Sequence, residues 1–138
     1  MLVGILFHIF CYDVWFYISH IALHTRALGW IHKIHHQTPY ETLTYKDTHV
    51  CHWIEGIIQP LGYFIPIAIY GVEKTNFSVM AISAVYICAR GLARHDHRCV
   101  KWMGNHHLLH HKYPNYNYGE FWIDILCNTM YPDKDAKI

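Results

Sequence analysis

The sequence predicts an all-α fold set in a membrane. Three apolar runs, one helix plus a kinked hairpin, would lie beneath a histidine-rich helical cap on the cytosolic side. Three observations predict this. The runs approach membrane length, the first keeps its polar residues on one stripe, and the basic residues crowd to one side of the runs. With 138 residues, a single domain over 1–138 is expected. Hydrophobic residues make up 53% and the net charge is only +1, so no overall field recruits nucleic acid.

The first run covers residues 1–24 (MLVGILFHIFCYDVWFYISHIALH). At ~1.5 Å per residue it nearly crosses a hydrocarbon layer of ~30 Å. Asp13, Tyr17, His20 and His24 recur at i, i+4, i+7 and i+11, which is one face of a helix. A soluble amphipathic helix turns its polar stripe outward. Here a narrow polar stripe on an apolar helix points to a protein interior, with lipid against the rest. The run has no basic leader and no small-residue cleavage pattern, so it does not read as a cleavable signal peptide.

The second run, residues 53–72, is interrupted by Pro60 and Pro66; the third covers residues 77–93. Glu73-Lys74-Thr75-Asn76 between them forms a polar turn. Together they predict a helical hairpin of membrane length, kinked in its first arm. Buried helices of a soluble bundle are the competing reading.

Charge orients the runs. Arg26, Lys33, Lys46, Arg90, Arg94, Arg98, Lys101, Lys112, Lys134 and Lys137 all lie outside the hairpin turn, and only Lys74 lies within it. The positive-inside rule then places the basic side in the cytoplasm. Every histidine except His8 falls on that same side, so residues 20–52 and 95–111 meet at one membrane face. The five cysteines are odd in number and form no C-x-x-C pair, which argues against a disulfide framework and a cysteine zinc site and suits a reducing, cytosol-facing location.

Fourteen histidines exceed what packing calls for, and imidazole is the commonest metal ligand. His20 and His24 stand at i and i+4 on a helix, close enough to grip one metal. His32, His35 and His36 form an H-x-x-H-H cluster, and His107, His110 and His111 form another, preceded by His106. These eight imidazoles exceed one tetrahedral site, so two metals are implied. Imidazole suits zinc, copper, iron and nickel alike. Ile21 and Lys33 stand where a zincin needs glutamate, which disfavours a metalloprotease. Soluble di-iron bundles use Glu and Glu-x-x-His ligands, absent at these positions. His8 reads as a packing residue.

The spacing H-x-x-x-H, H-x-x-H-H, H-x-x-H-H, with Asp13-Val-Trp-Phe-Tyr-Ile-Ser-His20 leading into it, resembles the fatty acid hydroxylase superfamily, which includes sterol desaturases. The resemblance runs from Asp13 to about Pro132. Within it the sequence is most similar to the C-5 sterol desaturases (lathosterol oxidases). The segments that carry this are His49-Val-Cys-His52-Trp-Ile-Glu55-Gly56, His95-Asp96, the stretch from His106 through Asn115-Tyr116-Asn117-Tyr118-Gly119, and Trp122-Ile-Asp124. Trp53 stands where the family usually has proline.

The resemblance implies a membrane di-iron oxidoreductase that uses O2 to hydroxylate or desaturate a sterol or fatty acyl chain. Its metal ligands would be His20, His24, His32, His35, His36, His107, His110 and His111, with His95 as a ninth. His52 and His97 stay open between ligand and hydrogen-bonding partner. Asp13, Glu55, Asp96 and Asp124 are candidates to orient ligand imidazoles, with salt bridges as the alternative. Tyr116 and Tyr118 either line the site or anchor at the headgroup level, with anchoring the favoured reading. The implied cofactors are two iron ions, with electrons from NAD(P)H through a cytochrome b5-type donor. The implied location is the endoplasmic reticulum membrane in a eukaryote. Family members carry a further membrane hairpin upstream, so one is expected to be missing here. A non-catalytic membrane zinc-binding protein and a bis-histidine haem protein are the rival readings.

Overall fold

In the computed structural model, which describes residues 1–132, all regular structure among the described residues is helical. Lys134 and Lys137 lie outside them. Two long helices carry the frame. Helix α1 (Leu2–Leu23) has 22 residues and travels about 33 Å. The short α2 (Gly29–His32), α3 (Trp53–Ile58) and α4 (Ile65–Tyr70) follow, and then α5 (Phe77–Arg94), 18 residues and about 27 Å. The chain closes with α6 (Val100–Met103), α7 (His106–Lys112) and α8 (Phe121–Leu126).

Helices α1 and α5 are both long and apolar enough to cross a bilayer. Only 33% of the apolar window of α1 and 22% of that of α5 is buried, whereas the core helix of a soluble protein is mostly enclosed. Leu2, Val3, Leu6, Phe10 and Ile18 on α1 are exposed, as are Phe77, Ile82, Val85 and Tyr86 on α5. Asp13, Ser19 and His20 are buried instead. This inside-out pattern is what the polar stripe of the first run required.

The second apolar run differs from the expected kinked arm. It breaks into α3, a 3-10 turn at Gln59–Phe64, and α4, so no single helix of membrane length forms there. Pro60 and Pro66 each sit in the first turn of a new helical piece, where a missing N–H is tolerated. The 3-10 turn presses onto α1 at Gly62, where an added Cβ would stand 2.8 Å from Trp15 and 3.0 Å from Tyr12. Trp15 Nε1 donates to the Ile58 carbonyl at 2.8 Å across the same contact. The core between these elements and α5 is Tyr12, Phe16 and Ile87, with Ile9 and Tyr63 packed on it.

Charges pin the frame at its histidine-bearing end. Arg90 of α5 makes two hydrogen bonds to Asp13 of α1, and Glu120, just before α8, takes Arg94 at 2.7 Å and Arg90 at 3.4 Å. Alternating signs let buried charges neutralise one another. Asp13, expected as a candidate to orient a ligand imidazole, is held by Arg90 instead. At the opposite end Met1 and Lys74 line one pocket with His8 and Tyr70.

Candidate metal centre

Five elements deliver histidines to one end of the frame. The last turn of α1 carries His20, and His24 follows as its C-cap. His32 ends α2, and His35 and His36 lie in the 3-10 turn His35–Gln37. His95 caps α5, while His107, His110 and His111 lie on α7. Their ring nitrogens form two groups: His20, His24, His32, His36 and His110 in one, His35, His95, His107 and His111 in the other, all within 4.8 Å inside each group. The nine histidines singled out in the sequence are the nine brought together. Each H-x-x-H-H cluster divides: the i, i+4 pair stays in one group and the residue at i+3 crosses to the other.

Hydrogen bonds fix several rings. His20 Nδ1 donates to the Tyr118 carbonyl (2.5 Å), His110 Nδ1 to Tyr116 (2.7 Å), His35 Nδ1 to Val50 (3.2 Å) and His95 Nδ1 to Gly91 (2.8 Å). His32 Nδ1 donates to Glu55 Oε1 at 2.8 Å. Carbonyl oxygens only accept, so Nδ1 of His20, His35, His95 and His110 carries hydrogen and these neutral rings present bare Nε2 lone pairs; Glu55 sets His32 the same way when it is a carboxylate, although burial pushes its carboxyl up to about 7. Two such lone pairs face each other in each group. His20 and His32 Nε2 are 2.9 Å apart, and His35 and His95 Nε2 are 3.1 Å apart. Lone pairs at that distance repel unless a cation lies between them.

A proton is a poor candidate for that cation. Burial holds His32 and His35 down at about 4, His24 at about 3 and His36 at about 2, and neighbouring imidazoles add to the shift for all but His32. Burial likewise pushes His95, His107, His110 and His111 well below the ordinary histidine range. His107 Nδ1 and both ring nitrogens of His111 are buried without a hydrogen-bond partner. Such unpaired buried groups are rare, and a bound ion is one partner that would satisfy them. Neutral imidazoles with converging lone pairs fit a metal ion in each group, and the donor set suits iron, zinc, copper or nickel.

The surroundings of the groups differ. A cavity of about 230 Å3 between the 3-10 turn and α5 is lined by Tyr12, Phe16, Tyr63, Ile87 and Cys88 and reaches His32, His35, His95 and His107. A second opening of about 300 Å3, lined by Lys33 and Pro114, reaches His24, His32, His36 and His111.

Other histidines stay outside. His52 Nδ1 accepts from the Ile54 N–H and caps α3; His97 Nε2 donates to the Tyr40 carbonyl; His106 Nε2 donates to Asp124. His8 meets the Tyr70 hydroxyl at 3.3 Å, far along α1. Of the candidate orienting carboxylates, only Glu55 touches a grouped imidazole; Asp96 binds Arg98 and the Tyr45 N–H, and Asp124 binds a loop. Sequence reasoning missed the four backbone carbonyls, because backbone groups leave no mark in side-chain spacing. Tyr116 and Tyr118, for which the sequence favours anchoring at the headgroup level over lining the site, contribute two of those carbonyls.

The fatty acid hydroxylase family model matches residues 5–129. A Delta(7)-sterol 5(6)-desaturase of Schizosaccharomyces pombe is 31% identical over 122 residues, covering 77% of this chain and 37% of that protein. A Delta(7)-sterol 5(6)-desaturase of Saccharomyces cerevisiae is 28% identical, with 82% and 31% covered. Human lathosterol oxidase is 29% identical over 133 residues, with 88% and 42% covered. The chain thus spans about a third to two fifths of the length of the curated relatives it matches. No solved structure matches it significantly. With the matched stretch running through every grouped histidine, the chain belongs to the fatty acid hydroxylase family.

Proposed function

We propose that this chain forms the metal-holding core of a membrane-bound di-iron oxidoreductase that oxidises a C–H bond of a sterol or fatty acyl lipid with O2. The observation that carries this is the pair of lone-pair-converging histidine groups beside an apolar cavity. His20, His24, His32, His36 and His110 would hold one iron, and His35, His95, His107 and His111 the other. Bound iron supplies the redox chemistry that activates O2, with electrons from NAD(P)H through a cytochrome b5-type donor. Membership of the family and the names of its sterol-desaturase relatives support the lipid reading.

The chain's own residues do the rest. Glu55 and the carbonyls of Val50, Gly91, Tyr116 and Tyr118 hold five imidazoles with Nε2 turned inward, which removes a reorganisation step from metal binding. Tyr12, Phe16, Tyr63 and Ile87 shape an apolar slot, exclude water, and set a hydrocarbon against the face formed by His35, His95 and His107. Tyr63 and Cys88 lie at the outer wall between the 3-10 turn and α5, where a lipid would enter sideways from the bilayer. The exposed apolar surfaces of α1 and α5 support membrane insertion, with the histidines at the cytoplasmic face and, in a eukaryote, in the endoplasmic reticulum.

The test is metal content, an optical spectrum and lipid turnover of detergent-purified, iron-supplemented protein. Two irons per chain, no Soret band, and O2-dependent conversion of a sterol or fatty acyl lipid with a reductase and cytochrome b5 are expected. A single tightly held zinc, or a haem spectrum, overturns the reading.

A further inference from the structure

The loop between α7 and α8 does more than connect them. After His110, the chain runs out, turns back, and offers its own carbonyls to two grouped imidazoles: Tyr116 to His110 and Tyr118 to His20. Both recipients belong to the five-histidine group, and they come from different helices. The loop therefore sets the ring orientation of two of the five donors, and something must hold the loop.

Asp124, in the first turn of α8, is 0% exposed and makes four hydrogen bonds as acceptor. Oδ1 takes the Tyr118 N–H (3.0 Å) and the Thr129 hydroxyl (2.6 Å). Oδ2 takes the Gly119 N–H (2.8 Å) and His106 Nε2 (2.9 Å). Four donors fill a carboxylate's acceptor capacity. The peptide unit that presents the Tyr118 carbonyl to His20 is thus flanked by two N–H groups tied to Asp124. Close packing leaves the loop no slack: an added Cβ at Gly119 would stand 2.8 Å from Tyr17. On the other side of the same turn Asn117, 1% exposed and at φ 57°, donates to the His106 carbonyl (2.9 Å) and accepts from Tyr131 N (2.7 Å).

We propose that Asp124 is a positioning residue for the five-histidine group alone: through the Tyr116–Gly119 backbone it fixes His20 and His110 with Nε2 directed at the metal. Among the described residues no ring of the four-histidine group is hydrogen-bonded to this loop; its anchored rings lean on Val50 and Gly91. The proposal rests on the two-metal reading above.

Cobalt(II) titration of the metal-free, full-length chain followed by visible absorption tests it. His110→Ala and His107→Ala serve as references for loss of the five- and the four-histidine group. Asp124→Asn keeps the size of the side chain but turns an NH2 toward donors. It is expected to retain one cobalt of wild-type affinity and to weaken the other about 10- to 100-fold, the scale for a residue behind a metal ligand. The band that survives should match that of His110→Ala. Thr129→Val removes one of the four donors and keeps the carboxylate. It should weaken the same site by several-fold, and it decides the question if Asp124→Asn loses helix content. Wild-type affinity at both sites in Thr129→Val and Asp124→Asn, or equal weakening of both sites, overturns the proposal. A wild-type chain that takes up a single equivalent overturns the two-metal reading itself, and the proposal with it.

Discussion

The five-histidine and four-histidine groups are neighbours built from the same motifs, yet they are held differently. In the first, His20, His32 and His110 are each braced at Nδ1 by a carbonyl or carboxylate. In the second, His35 and His95 are braced, while His107 Nδ1 and both nitrogens of His111 are not. The opening toward Lys33 and Pro114 is reached by His24, His32 and His36 of the first group and His111 of the second, and the apolar cavity by His35, His95 and His107 of the second and His32 of the first. The difference teaches that two groups built from repeated motifs can differ in what stands behind the rings and in what lies before them.

The largest effects should come from removing one donor in each group. His110→Ala and His35→Ala are each expected to lose one metal and to lower turnover by about 100-fold or more, because a ligand matters more than the outer partners whose loss costs 10- to 100-fold. Elemental analysis beside product assay checks this. Full activity in the His35 variant would break the comparison at its substrate-facing half.

Next in size is the cavity. Ile87, 3% exposed, lines it beside the four-histidine group. Ile87→Trp should leave both metals bound and lower kcat/KM for lipid by about 100-fold, the scale of an ångström misplacement. Loss of metal in this variant would show that the cavity wall and the metal site are not separable.

Glu55→Leu leaves the His32 Nδ1–H unpaired, at about 1–3 kcal/mol. It should weaken the five-histidine metal about 10-fold or more, with the four-histidine metal retained. Metal affinity by competition with a chelator reads this out.

Acid should act on the metal-free protein through both groups. His24, His32, His35 and His36 are held neutral down to about 3, 4, 4 and 2, while the unfolded chain takes up these protons near 6.5. The unfolded state therefore binds more protons between these values, so stability is fully present above about 6.5 and falls as pH drops toward 4. The apparent Tm of metal-free protein at pH 7 and pH 5 checks the sign. The smallest effect belongs to His8→Ala, which removes one contact to Tyr70 and should change stability by about 1 kcal/mol with metal content unaltered.

Much of this was legible in the amino-acid order. Hydropathy marked α1 and α5 because a bilayer-length helix needs a continuous apolar stretch. Spacing marked His20 and His24, and the two H-x-x-H-H clusters, because i, i+3 and i+4 fall on one side of a helix. The break of residues 53–72 was only half visible: Pro60 and Pro66 announced a kink, but the closeness of Gly62 to Trp15 and Tyr12 belongs to the packed α1 surface.

What only the tertiary structure decided was pairing. Spacing puts His32, His35 and His36 together, yet the turn from α2 into a 3-10 segment sends His35 to one group and His32 with His36 to the other. Asp13 and Glu55 are both buried carboxylates, and whether each meets an arginine or an imidazole depends on which helix lies across from it. The carbonyls of Tyr116 and Tyr118 brace His110 and His20 whatever side chains those residues carry. The sequence determined which residues are fit to bind, because side-chain chemistry and helical period are local. Which donors share a metal, and what stands behind them, is set by contacts between distant segments, which local order cannot encode.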